Sequence, residues 1–481
     1  MRPLAELELS VSLDPAGDRP LHRQLADQLR DAVHSGELRP GQRLPSSRTL
    51  AARLAVSRTV TLAAYAELSG EGYLDGHHGS GTYVSPELRV PRAGSRTPPA
   101  GQATADLAPH RTVMDLRPGR ADTSALAGPD WRRAWRAAAD HPPPTDPGPA
   151  AGLPEFRREI AAHLQRFRGL QCTAHDVLVT TGTRDSLELL AAVRGDRRVG
   201  IEDPGYPAAH RIFGALGAHV ESLPVDDAGL ITEQLPATAP APTAIYVTPA
   251  HQYPLGGRLP ASRRLDLLRW ARTRDALVIE DDYDSEFRFD VPPLPALAAL
   301  DRDRVAYLGT LSKVLSPSLR VGYLLAPPHL HHQLVRHREA DGYRVPHIVQ
   351  AALASYFADG ALARHIARMR RAYAAKRHLL IELLEPTALT LRGLDAGLHG
   401  VLRLPPEADE HDVVDRLAEA GIRLAGLAEY HHKAERHDRG LVLGYGAASP
   451  TDLHHAVAAL TEVLSATKCS ASARVSASME V

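Results

Sequence analysis

Gly309-Thr310-Leu311-Ser312-Lys313, continued by Val314-Leu315-Ser316-Pro317-Ser318-Leu319-Arg320-Val321-Gly322-Tyr323, decides how this chain reads. Hydroxyl residues stand just before an amine, and an arginine follows seven positions after it. Lysine is scarce elsewhere. Of 56 basic residues only Lys313, Lys376, Lys433 and Lys468 are lysines, so an amine set in such a context is chemically distinctive. A ligand that is both an aldehyde and a phosphate needs this set of groups. The amine forms an imine with the aldehyde, while hydroxyls and a guanidinium hold the phosphate. Taken alone, the window also fits a surface lysine beside a turn.

The surroundings add weight. Val305-Ala306-Tyr307-Leu308 precedes the lysine segment, and similar short apolar runs recur upstream. Val177-Leu178-Val179-Thr180 leads into Gly182, and Val199-Gly200-Ile201 into Glu202-Asp203-Pro204-Gly205-Tyr206. Ala244-Ile245-Tyr246-Val247 leads into Thr248-Pro249-Ala250-His251-Gln252-Tyr253-Pro254, and Ala276-Leu277-Val278-Ile279 into Glu280-Asp281-Asp282-Tyr283. Uninterrupted apolar strands separated by helical stretches indicate a mostly parallel sheet covered on both faces. In such α/β sheets ligands bind beyond the carboxyl ends of the strands, so five polar clusters are expected to converge on one crevice.

Length and composition set the frame. A chain of 481 residues is too long for one ordinary domain. Its 44% hydrophobic and 23% charged content is that of a globular protein. No apolar run is long enough to span a membrane, and the first residues lack an export pattern. Cys172 and Cys469, the only cysteines, cannot make a disulfide framework. These features predict a cytoplasmic protein. The net charge of −1 means that any nucleic-acid surface must be local. The expected organisation is a compact module over 1–84, a Pro-rich linker over 85–114, a large α/β domain over 115–464 and a disordered tail over 465–481.

The cluster motifs, in this order, resemble the fold-type I, aspartate-aminotransferase-like family of pyridoxal-phosphate (PLP) proteins. The resemblance covers about residues 152–326 and implies a role for each matching position. Lys313 is the imine lysine, and Asp281 is the carboxylate facing the pyridine nitrogen. Tyr283 is the donor to the ring's phenolic oxygen, and Tyr206 the aromatic that stacks on the ring. Gly182 and Thr183 turn backbone N–H groups toward the phosphate, and Thr310, Ser312 and Arg320 complete its site. The chain also departs from the enzyme pattern. The family's Asn-Pro-x-Gly reads Tyr253-Pro254-Leu255-Gly256 here, leaving His251 or Gln252 to replace the asparagine. Arg184 stands where a small or amide residue is common. In the late strand Leu441-Val442-Leu443-Gly444-Tyr445, Val442 occupies the place of the arginine that clamps a substrate carboxylate, with Arg439 and Arg423 as possible replacements. Without a clamp an amino acid loses a bidentate anchor of about 1.5–3 kcal/mol.

The N-terminal module has its own pattern. Leu21, Leu25, Leu29 and Val33 recur at helical spacing. Ser46 is placed to cap a short helix ending near Leu54. Ala55-Val56-Ser57-Arg58-Thr59-Val60 then forms a turn into a second helix ending near Gly72. Residues 73–84 read as a β-hairpin wing. Arg39, Arg43, Arg48, Arg53 and Arg58 fall in a stretch, 39–66, that holds no Asp or Glu. Such a charge run is often only a solvated face. Here Ser57-Arg58-Thr59 opens the second helix, where recognition helices meet base edges. Leu44-Pro45-Ser46-Ser47-Arg48 and Val56-Ser57-Arg58 resemble the GntR family of winged helix-turn-helix domains. That resemblance assigns Arg48, Ser57, Arg58 and Thr59 to groove or phosphate contacts, and His78 and Gly79 to the wing tip.

A GntR-like head, a linker and an aminotransferase-like body together resemble the MocR/PdxR family of bacterial transcriptional regulators. The resemblance implies a homodimer that binds a double-stranded DNA operator. PLP, or an amine or amino-acid effector, would be sensed rather than turned over, in control of vitamin B6 or amino-acid metabolism. Two rivals are a working aminotransferase that carries a DNA-binding head and a repressor whose body is only a dimerisation scaffold. No metal is expected.

Overall fold

A computed structural model describes residues 11–15, 17, 19–77, 81–86, 88, 114–195, 197–289, 294–342, 344–387, 389–405, 408–433 and 439–478. The chain divides into two compact units, residues 1–108 and 109–481.

In the first unit, helices α1 (Leu21–His34), α2 (Ser47–Arg53) and α3 (Arg58–Gly70) precede an antiparallel hairpin of β1 (Leu74–His77) and β2 (Gly81–Val84). Leu25, Leu29 and Val33 of α1 pack with Leu50, Ala64, Leu68, Leu74 and Val84 into one core. Ser46 does cap α2, accepting from the Thr49 backbone N at 3.1 Å, and Ser57 caps α3 through the Val60 N at 3.4 Å. The two helices are tied together by buried hydroxyls. Thr61 donates to the Ser47 carbonyl at 2.9 Å and Tyr65 to the Pro45 carbonyl at 2.8 Å. Their relative pose is therefore held by hydrogen bonds as well as packing. Residues 41–44 run beside β2 and extend the wing. His78 and Gly79, the expected wing tip, lie outside the described residues.

The second unit opens with β3 (Met114–Asp115), α4 (Pro129–Ala139) and α5 (Pro154–Arg168). Next come β4 (Val177–Thr180), α6 (Thr183–Arg194), β5 (Arg198–Asp203), α7 (Pro207–Ala215), β6 (His219–Asp226) and β7 (Gly229–Leu230). They are followed by β8 (Ala244–Val247), β9 (Leu277–Asp282), β10 (Val305–Thr310) and β11 (Gly322–Leu325). These strands form one sheet in the order β4-β11-β10-β9-β8-β5-β6-β7. The run from β10 to β6 is parallel, while β11 lies antiparallel to both neighbours. Alternate residues serve opposite cores. Ile245 and Val247 face one, and Ala244 and Tyr246 the other. Burial on both faces is why these strands read as unbroken apolar runs. A smaller antiparallel sheet joins β12 (Leu391–Arg392), β13 (His399–Arg403), β15 (Ala425–Gly426) and β16 (Gly440–Gly444). β14 (Ile422–Arg423) pairs with β3.

The tail departs from expectation. The last helix, Pro450–Ser478, carries on through most of 465–481. Ala466, Ala471 and Ala473 favour helix, and no glycine or proline stops it.

Candidate functional site

All nine residues expected to hold a cofactor line one cleft of about 230 Å³ at the carboxyl ends of the sheet strands. They are Gly182, Thr183, Tyr206, Asp281, Tyr283, Thr310, Ser312, Lys313 and Arg320. Gly182 caps α6 with φ +125°, a backbone that side-chain-bearing residues rarely adopt, and this lets the helix start at the cleft wall. The first N–H groups of a 12-residue helix thus open on the cleft, where an anion is favoured. Thr310 ends β10, and its Oγ1 lies 3.0 Å from the Ser312 Oγ. Arg320 sits in the left-handed region at φ +52°, a strained conformation for an arginine. Strain of that kind is kept where a side chain must point one way. Among the described residues Asp281 is the only acidic one lining the cleft, against Arg184, Lys313 and Arg320. The cleft thus suits a dianion with one cationic edge.

Asp281 is buried at the end of β9. Its Oδ2 accepts from the Tyr246 hydroxyl at 2.6 Å, and its Oδ1 is buried with no hydrogen-bond partner. An orphaned carboxylate oxygen is costly unless a donor arrives. A protonated pyridine nitrogen is such a donor, so the residues present fit the expected group. Burial pushes this carboxyl up to about 7; the Tyr246 hydroxyl opposes that, Asp282 adds to it, and Lys313 and the nearby Thr183 hydroxyl oppose it. The folded protein thus holds this proton longer than the unfolded chain does. Burying the charge costs stability above about pH 4, and the cost grows until about pH 7. Asp281→Asn is therefore expected to raise the melting temperature of the ligand-free protein at pH 8, with the gain vanishing near pH 4. Thermal unfolding at the two pH values checks this. A lower melting temperature at pH 8 would contradict it.

The Lys313 amine is half-buried and donates to the Gly119 carbonyl at 2.8 Å. Gly119 has φ +86°, and a Cβ there would press on the amine. Burial lowers the basicity of Lys313, with Asp284 and Asp281 acting the other way. More of the amine is therefore unprotonated and nucleophilic near neutral pH. Tyr206 stands before α7, its ring stacked on Tyr246 at 6.4 Å and edge-on to Tyr253 at 6.0 Å.

Tyr246, Thr248 and Tyr253 also line the cleft and were not anticipated. Tyr246 read as core because it lies inside an apolar strand run. Its position on the same face as Ala244 was the only signal.

Other expectations need correction. Neither His251 nor Gln252 takes the place of the missing asparagine, since neither lines the cleft. Gln252 donates to the Pro204 and Tyr253 carbonyls, both at 2.9 Å, and so locks the loop. His251 lies behind Tyr283. Arg184 is exposed at the rim, 2.9 Å from Glu188. Val442 is buried among Val401, Ala425, Leu427 and Tyr430. Neither proposed clamp reaches the cleft lining: Arg423 lies on β14 opposite Asp115, and Arg439 donates to the Ala408 carbonyl at 3.1 Å. In the first unit Arg48, Ser57, Arg58 and Thr59 are all exposed. The Ser57 side chain is engaged in capping, which leaves Arg58 and Thr59 to project from the first turn of α3. No helix among the described residues is long and apolar enough to cross a membrane.

This fold and cleft define an α/β protein with an aminotransferase-like body and a winged helix-turn-helix head. Residues 111–458 match the family model "Aminotransferase class I and II", and 21–84 match "Bacterial regulatory proteins, gntR family". The chain belongs to the PdxR/MocR family of HTH-type transcriptional regulators. It is 40% identical over 95% of its length to the HTH-type pyridoxine biosynthesis transcriptional regulator PdxR of Corynebacterium glutamicum, covering 99% of that protein. It is 34% identical to the probable rhizopine catabolism regulatory protein MocR of Rhizobium meliloti, over 93% of this chain and 94% of that one. To TauR of Rhodobacter capsulatus it is 31% identical, over 95% and 99%. Among solved structures, an archaeal alanine:glyoxylate aminotransferase matches with a TM-score of 0.69 and 24% identity, over 73% of this chain and 91% of that one. Likeness to named regulators along nearly the whole chain favours a regulator over a transaminase that carries a head.

Proposed function

We propose that this regulator binds PLP in the cleft and uses its occupancy to set operator affinity. The observation that carries the reading is the convergence of nine separately anticipated residues on one cleft, with the orphaned Asp281 Oδ1 at one wall and the α6 N-terminus nearby. When bound, PLP supplies an aldehyde carbon for amine capture and a ring able to draw electrons. Lys313, released from the Gly119 carbonyl, would present its amine to that carbon. Asp281 holds a proton at the pyridine nitrogen, and Tyr206 and Tyr246 fix the ring plane. The phosphate is held by the α6 N–H groups, Thr183, Thr310, Ser312 and Arg320.

The protein acts as a cytoplasmic homodimer on duplex DNA, through Arg48, Ser57, Arg58 and Thr59 of each head. Binding free energy that favours one arrangement of the body shifts the population of operator-competent heads. The apolar setting of Val442 gives an amino acid no carboxylate clamp, which favours PLP itself as the effector over a substrate amine. Genes of vitamin B6 synthesis are then the expected targets, in keeping with the name of the C. glutamicum relative. A gel-shift on DNA upstream of the protein's own gene tests this. A several-fold change in affinity on adding PLP is expected, and unchanged affinity would overturn the sensor reading.

A further inference from the structure

Behind Tyr283 lies a buried group that no cofactor role accounts for. The His251 Nδ1 is 2.9 Å from the Asp284 Oδ2, and its Nε2 is 3.1 Å from the Gly393 carbonyl. With Asp284 ionised both partners are acceptors, and in that state both ring nitrogens carry protons and His251 is an imidazolium paired with a carboxylate. The two residues are about 2% exposed. Gly397 packs so closely over them that a Cβ there would collide with both. The Tyr283 oxygen lies 3.0 Å from the His251 Nδ1, and its proton is donated to the His251 carbonyl at 2.9 Å. Tyr283 therefore stands between a buried cation and the cleft.

His399 lies beside the pair, its ring 4.9 Å from that of His251, and its Nε2 is satisfied by the Pro254 carbonyl at 3.1 Å. His251, Asp284 and His399 are close enough together to hold a metal. However, both His251 nitrogens are used as donors, so no lone pair faces a common point, and a positioning role fits better.

We propose that the His251–Asp284 ion pair is the positioning unit that polarises Tyr283, whose hydroxyl would turn from the His251 carbonyl to donate to the phenolic oxygen of bound PLP. The inference rests on the PLP reading above. Charged and titratable groups facing His251 are Asp284, Asp395, His399 and Tyr283; in the ligand-free protein burial, then Asp284, Tyr253, Asp281 and Glu202, hold the Tyr283 proton more tightly than usual, and the His251 cation is the group placed to oppose them. Burial alone would lower the basicity of His251, but Asp284, the Gly393 carbonyl and Asp395 reverse this and raise it.

A cation behind Tyr283 stabilises negative charge on the phenolic oxygen. Removing that cation should raise the pH at which the visible band of the PLP-loaded protein changes. His251→Gln and Asp284→Asn are each expected to raise this midpoint by at least about half a pH unit. Neither should shift it further once Tyr283→Phe is present. A merely structural role would lower PLP occupancy or thermal stability and leave the midpoint in place. Wild-type protein labelled with ¹⁵N-histidine gives a test free of folding effects: one histidine should keep both ring nitrogens protonated through pH 8. A wild-type band with unmoved midpoints in the variants, or a neutral His251 at pH 8, overturns the inference alone. Absence of any visible band in wild type overturns the PLP reading and this inference together.

Discussion

Replacing Lys313 by alanine is expected to abolish the borohydride-fixed adduct of the PLP-loaded protein and to replace the imine's visible band by the absorbance of the free aldehyde. The effect should be all or nothing, because no other amine lines the cleft among the described residues. Lys376, the other half-buried lysine among the described residues, is held by Asp122 at 3.0 Å and by the Gly446 carbonyl at 2.8 Å. The phosphate and ring contacts remain in the variant, so PLP should still bind, but reversibly and more weakly. Mass spectrometry after reduction gives the readout. An adduct that persists in the variant would remove Lys313 from its proposed role, and an unchanged operator response to PLP would favour the scaffold reading.

The second large effect is expected in the head. Arg58→Ala should weaken operator binding by about 1–3 kcal/mol, roughly 5- to 150-fold, if its guanidinium reads a base edge. Arg58 opens α3, is exposed, and is pre-aimed because the Ser57 hydroxyl fixes that first turn. The loss should be larger for operator than for unrelated duplex. Arg48 lies on α2, and its replacement should instead weaken both DNAs alike and lower the salt dependence by about one ion. Gel-shifts on both duplexes at two salt concentrations separate the roles. An Arg58→Ala protein that binds operator like wild type would refute the base-contact assignment.

Why the cleft could be foreseen is instructive. The strand-then-polar rhythm predicted a crevice without any knowledge of pairing, and the family resemblance then named nine residues in it, each within three positions of a strand end or on the lysine segment. What escaped notice depends on distant partners. Tyr246 is hidden by its strand, whose apolar neighbours give it the look of core until the Asp281 carboxylate appears beside it. The His251–Asp284 pair spans 33 residues, and its roof comes from Gly393 and Gly397 more than a hundred residues further on. Gly119 lies 194 residues before the lysine it engages, in an otherwise ordinary Pro-Gly turn. Helix caps in the head were readable because capping is a local contract between a hydroxyl and an N–H three residues away. The antiparallel β11 was not, since strand direction depends on a short connection turning back rather than on composition.

The loosely basic amine of Lys313 has a practical corollary. Small aldehydes react with unprotonated amines, and this chain offers few others to compete. A fluorogenic aldehyde added to the purified protein near neutral pH should therefore label this position ahead of the others, dimming in proportion to the vitamin already seated. The regulator carries, in effect, its own occupancy gauge.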